Sequence, residues 1–184
     1  MTRTFVLILI LVASVTWLLI IAVNPNRTSE PVATATPSPA QTTLSMRRVE
    51  PSSNEVTLAP RSFSEVEVKI DTGTNRVTGV QLELAYDPEI LTNVDITPGT
   101  FFENPVTLIK DINTEDGRIS FALAVSPAQG GIYGAGTVAV LTFRTASDSG
   151  QTRIEFLPKT LVSGEGIAES ILQSATGLTL DLSK

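Results

Sequence analysis

The sequence predicts an all-β, antiparallel sandwich around a single core, carried behind an N-terminal apolar helix and a linker. Three observations lead there. Residues 80–86, Val-Gln-Leu-Glu-Leu-Ala-Tyr, alternate strictly between apolar and other side chains, the signature of a half-buried strand. From residue 43 onward, similar short runs follow one another, each closed by turn residues. Beyond the N-terminal segment, no stretch holds helical periodicity for three turns. Strands of this length spaced by turns fold as two packed sheets.

Residues 5–23 come first. They contain nineteen consecutive uncharged residues behind Met-Thr-Arg-Thr, enough to cross a hydrocarbon core of roughly 30 Å as a helix. A cleaved signal peptide is the rival reading. Its apolar region is normally shorter and ends in small residues, whereas this run ends in Ala22-Val23-Asn24-Pro25. The segment is therefore read as an uncleaved transmembrane anchor over residues 1–23. Arg3 holds the start inside and leaves the rest of the chain extracellular, at the cell surface. Residues 24–42 are rich in Pro, Thr, Ser and Ala and form a linker that cannot bury a core. Residues 43–184 are the sandwich domain.

Within that domain, residues 63–70 alternate through Val66, Val68 and Ile70. Val80, Leu82, Leu84 and Tyr86 point to the core, and Gln81, Glu83 and Ala85 point away. Asp87 then reads as an N-cap and Pro88 as the first residue of one helical turn, since the carboxylate can accept orphan N–H groups and Pro has none to lose. Residues 91–99 form a short strand closing on Pro-Gly. Residues 106–112 and 117–125 make a hairpin with Asp116-Gly117 at its turn.

Composition bounds the chemistry. The chain of 184 residues has a net charge of −6, which argues against a nucleic-acid surface. It has no Cys and no His, so disulfides, thiolate nucleophiles, the commonest general base and the commonest transition-metal ligands are all missing. No cofactor and no metal site is expected. The Asp111-Ile-Asn-Thr-Glu-Asp-Gly117 run suggests a calcium loop, but counted from Asp111 it has Asp116 where Gly is needed and Ala122 where Glu is needed. A hairpin turn explains it better. Glu83, Asp87 and Glu89 could be a glycosidase carboxylate set only if two of them faced each other across a cleft; Glu83 projects from a strand and Asp87 has a turn to cap. No catalysis is expected. Residues 125–137 hold four of the twelve glycines without the Lys of a phosphate loop, and read as a loop at the strand ends with Tyr133 as its one candidate contact.

The order of these pieces resembles the cohesin domain, the receptor module of cellulosome scaffoldins and related bacterial surface proteins. The residues that carry the likeness are the Tyr86-Asp87-Pro88 corner after an alternating strand, the Pro98-Gly99 that follows, Asp116-Gly117 with its strand, and residues 134–146. The resemblance spans residues 43–183. It implies a nine-stranded β-sandwich of jelly-roll topology and a non-catalytic role in binding dockerins, small paired-helix calcium modules on other proteins, in polysaccharide degradation. In the family a polar, often acidic residue five before the Tyr hydrogen-bonds the dockerin. Here that residue is Gln81.

Family topology would place residues 117–125 and 134–146 beside the 77–85 strand. Their outward residues would then form a small, apolar face from Gln81, Glu83, Ala85, Ser120, Ala122, Ala124, Val138 and Val140, rimmed also by Lys110. Ala is depleted in solvated strands, so this face is read as the partner-binding surface, with a covering loop as the plain alternative. Two further readings stay open. The sandwich could bind polysaccharide directly as a carbohydrate-binding module, although sugar sites usually present planar Trp and Tyr and the domain has only Tyr86 and Tyr133. It could also be a structural surface domain.

Overall fold

The computed structural model describes residues 40–49, 63–126, 128–146 and 150–182. The predicted anchor over residues 5–23, and the linker as far as residue 39, lie outside the described residues.

Alternation becomes strand throughout. The elements are β1 (Thr42–Val49), β2 (Phe63–Asp71), β3 (Val77–Ala85), β4 (Leu91–Pro98), β5 (Val106–Asn113), β6 (Arg118–Ala124), β7 (Ala135–Thr145), β8 (Gln151–Phe156), β9 (Leu161–Gly164), β10 (Leu172–Thr176) and β11 (Leu178–Asp181). One sheet runs β10-β1-β2-β7-β4. The other runs β11-β8-β3-β6-β5, with β9 also paired to β3. Among the described residues only β1 and β10 pair in parallel; the remaining pairs are antiparallel. The chain passes repeatedly from one sheet to the other, so each new strand lays its apolar side on a core already begun.

That core holds Leu44, Val66, Val68, Ile70, Leu141 and Phe143 from the first sheet against Leu82, Leu84, Ile119, Phe121, Leu123 and Ile154 from the second. Tyr86 is buried as expected, and burial raises the pKa of its phenol. Among the described residues there are eleven strands, two of the ribbons being broken. Residues 157–160 interrupt the edge along β3 between β8 and β9. Gly177 separates β10 from β11 where the chain changes sheet.

The corner after β3 has the predicted cap. Asp87 Oδ1 accepts the Glu89 N–H at 2.9 Å, and the Asp87 carbonyl accepts the Leu91 N–H at 2.8 Å, closing one turn. The β5–β6 hairpin packs onto this corner: the Tyr86 N–H donates to the Gly117 carbonyl at 2.9 Å. Gly117 has φ +62° and lies against the Tyr86 carbonyl and the Pro88 ring, leaving no room for a Cβ. At the tip, Asn113 Oδ1 accepts the N–H groups of Glu115 and Asp116, so the run that suggested a calcium loop is a side-chain-locked turn.

One expectation fails. β7 does not lie beside β3 and β6; it pairs with β2 and β4 in the opposite sheet. Nor does Val138 point outward. The β2–β7 register shifts between Val68 and Lys69, and this bulge turns Val138 as well as Ala139 inward, leaving Val138 1% exposed. Val140 stays partly exposed, on the far side of the molecule from Gln81.

Candidate protein-docking face

The outer face of the second sheet is built on β3. Gln81, Glu83 and Ala85 alternate with buried neighbours there, and β6 brings Ala122, Ser120 and Arg118 directly opposite them. Six of the eight predicted site residues (Gln81, Glu83, Ala85, Ser120, Ala122 and Ala124) therefore share one face. Val138 and Val140 belong to the other sheet and are not part of it. Lys110 is not on the rim either. It pairs with the inward Phe121, and its Nζ reaches Asp95 Oδ1 on β4 at 2.8 Å, joining the neighbouring edges of the two sheets. The ammonium beside Asp95 lowers that carboxyl's pKa.

Four contributors were missed. On β5, Val106, Leu108 and Ile109 are 49%, 63% and 42% exposed; on β9, Leu161 is 44% exposed. The β5–β6 register shifts between Thr107 and Ile109, so Leu108 is an extra residue at a bulge. This bulge puts Ile109 opposite Ala122 and leaves Val106 opposite Ala124. Across the sheet a continuous row results: Leu161 opposite Gln81, Gln81 opposite Ala122, Ala122 opposite Ile109. Ala122 is only 6% exposed, a small side chain sunk between longer ones. The sequence signal for the three on β5 was the run Val106-Thr-Leu-Ile109, which has more apolar side chains than one inward face can use.

Beside the row lies an open depression of about 410 Å³, floored by Gly79, Ala122 and Ala124 and flanked by Leu108, Ser163 and Glu165. Gly79 keeps it deep, and an added Cβ there would come within 3.1 Å of the Leu123 carbonyl oxygen.

Glu83 sits one row along, half-buried and held from every side. Its Oε2 accepts the Ser120 hydroxyl at 2.7 Å and its Oε1 accepts Gln81 Nε2 at 3.0 Å. Its backbone faces the break between β8 and β9, where Thr160 takes the place of a strand. The Thr160 hydroxyl accepts the Glu83 N–H and donates to the Glu83 carbonyl, each at 3.1 Å. Leu157 N–H also donates to that carbonyl, at 2.7 Å. Glu83 is thus engaged by its neighbours, and Asp87 caps its turn. The Gly-rich loop is pinned to the strand ends by backbone bonds between Ile132 and Val77 and between Gly134 and Thr72. Tyr133 stands 69% exposed upon it.

The two-sheet sandwich thus presents an open, largely apolar outer face on β3, β6 and β5. The Cohesin domain family model matches residues 56–178, and the chain belongs to that family. Among solved structures, it is similar to a non-cellulosomal cohesin from the hyperthermophilic archaeon Archaeoglobus fulgidus, at 21% identity and a TM-score of 0.58, over 77% of this chain and 91% of that one. It is similar also to the second type II cohesin module of the adaptor scaffoldin ScaA of Acetivibrio cellulolyticus, at 16% identity and 0.57, over 74% and 86% of the two chains. A type I cohesin–dockerin complex from Clostridium thermocellum matches at 15% identity and 0.61, over 81% and 97%. At these identities the likeness establishes the fold. No curated protein matches the chain.

Proposed function

We propose that this domain is a non-catalytic receptor that binds a dockerin-type protein on the outer face of β9, β3, β6 and β5, and that residues 5–23 anchor it in the membrane with the domain outside the cell. Family membership supports a dockerin as the partner. The observation that carries the site is the cross-strand row Leu161–Gln81–Ala122–Ile109. It leaves large aliphatic side chains in water at its two ends, with Gln81 and the small Ala122 between, a flat surface of the kind that a protein interface uses. Direct polysaccharide binding draws no support from this face, since no aromatic side chain lies on it among the described residues. The test is titration of calcium-loaded type I and type II dockerin modules against the full chain in detergent micelles. Binding by at least one type, abolished by Ala124→Lys, is the expected result. Binding that ignores Ala124→Lys, or none from either type, removes the reading.

A further inference from the structure

Resting on that reading, we infer that Glu83 selects the partner by its charge: the bound protein places a Lys or Arg over this carboxylate, beside an apolar stripe that covers the Leu161–Ile109 row. Glu83 differs from the other carboxylates of this face. Glu155 is matched by Arg153 at 2.9 Å, and Glu165 by Arg76 at 2.6 Å. Asp111, opposite Ser120 on the edge strand, is exposed and solvated. Among the described residues no cation pairs with Glu83, and its two donors, the Gln81 amide and the Ser120 hydroxyl, are neutral. They fix its orientation without cancelling its charge.

A protein settling on the adjacent apolar row would strip water from Glu83. A desolvated, uncompensated carboxylate opposes binding strongly, whereas a cation delivered to it restores the loss and excludes partners that lack one. The geometry says where that cation must be. Glu83 is two residues from Gln81 along β3, so the basic side chain lies about 7 Å to one side of the line of apolar contacts. The partner is therefore a surface with an apolar stripe and one flanking Lys or Arg.

The probe is a displayed library of a calcium-loaded dockerin module, randomised at its exposed helix positions. It is selected separately on the full chain in detergent micelles as wild type, Glu83→Gln and Glu83→Lys, with Ala124→Lys as the control for the face. Wild type should enrich Lys or Arg at one position flanking the apolar ones. Those clones should bind Glu83→Gln about thirtyfold more weakly, or worse, at an unchanged unfolding midpoint. Glu83→Lys should enrich Asp or Glu at the same position, which a merely structural effect would not produce. Clones that depend on Ala124 yet bind wild type and Glu83→Gln equally overturn the inference and leave the docking reading intact. Clones indifferent to Ala124→Lys, or no clones at all, overturn the docking reading and this inference with it.

Discussion

The two outer faces of the sandwich have the same strand geometry and opposite surface chemistry. On the face formed by β1, β2, β7 and β4, opposite charges gather around Glu67. Glu67 lies 3.8 Å from Arg47 and 3.7 Å from Lys69, and Thr137 links them by accepting from Lys69 and donating to Glu67. Even the exposed Phe63 is covered on one side by Arg144, whose guanidinium carbon lies 4.1 Å from the ring centroid. On the face formed by β9, β3, β6 and β5, Leu108, Ile109, Val106 and Leu161 are left in water, and among the described residues no cation pairs with the half-buried Glu83. A face that satisfies itself has little to gain from a partner. Exposed aliphatic area beside a carboxylate that no described cation matches is the surface on which the proposed partner would gain most.

The largest effect should come from placing the same new charge on each face. Ala124→Lys should weaken dockerin binding by about 2 kcal/mol or more, because an ammonium in the interface centre loses its water without a partner. Val140→Lys, at the centre of the other face, should leave titration unchanged; equal losses from both would erase the distinction. Ala122→Lys is a poor substitute, since Ala122 is enclosed by its neighbours and the change should lower stability too. Next, Leu108→Ser and Ile109→Ser should each weaken binding by about 1 kcal/mol, while urea midpoints stay in place because both side chains are already exposed.

Asp87→Ala should cost about 1 kcal/mol of stability through loss of the cap, read as a lower thermal midpoint. Binding per folded molecule should not change, since the corner belongs to neither face. Smaller still is the clamp between Asp95 and Lys110. The Asp95 pKa in the fold is lowered below its ordinary value of 3.8 by the Lys110 hydrogen bond. The stabilisation is therefore present above about pH 4 and fades as pH falls through the lowered pKa. Both side chains are substantially exposed, so Asp95→Asn should lower stability by less than about 1 kcal/mol at neutral pH. Once pH has fallen below that lowered pKa, unfolding curves of the two proteins should converge. The smallest effect is expected from Arg47→Ala, within about 0.5 kcal/mol, because its distance to Glu67 is long and Arg47 is largely solvated. A larger loss would mean that the self-satisfied face contributes structurally as well.

Most of the strand positions were legible because alternation of side chains is a local property of extended backbone. The inward set of Val66, Val68, Leu82, Leu84 and Tyr86 follows from it directly. The Asp87–Pro88 corner and the Asp116–Gly117 turn were legible for the same kind of reason: each rests on chemistry within a few residues, a carboxylate next to free amides or a backbone that only Gly adopts easily. The sequence by itself thus determined which segments are strands, where several of them turn and which side of most of them is buried.

Which strands are neighbours was decided only in three dimensions. Alternation states that a strand has two faces, but not which sheet it joins, and β7 is as well patterned for β6 as for β2. Its pairing with β2 and β4 removed Val138 and Val140 from the proposed docking face. Bulges were equally hidden. A one-residue slip reverses the side on which later side chains fall, and it is set by the partner strand's register. One such slip buried Val138, and another at Leu108 set the β5 residues opposite the β6 alanines. The engagement of Glu83 by Ser120 and Thr160 joins residues 37 and 77 positions apart. No local pattern encodes it, because it exists only once β6 and the break between β8 and β9 have closed on the two sides of β3.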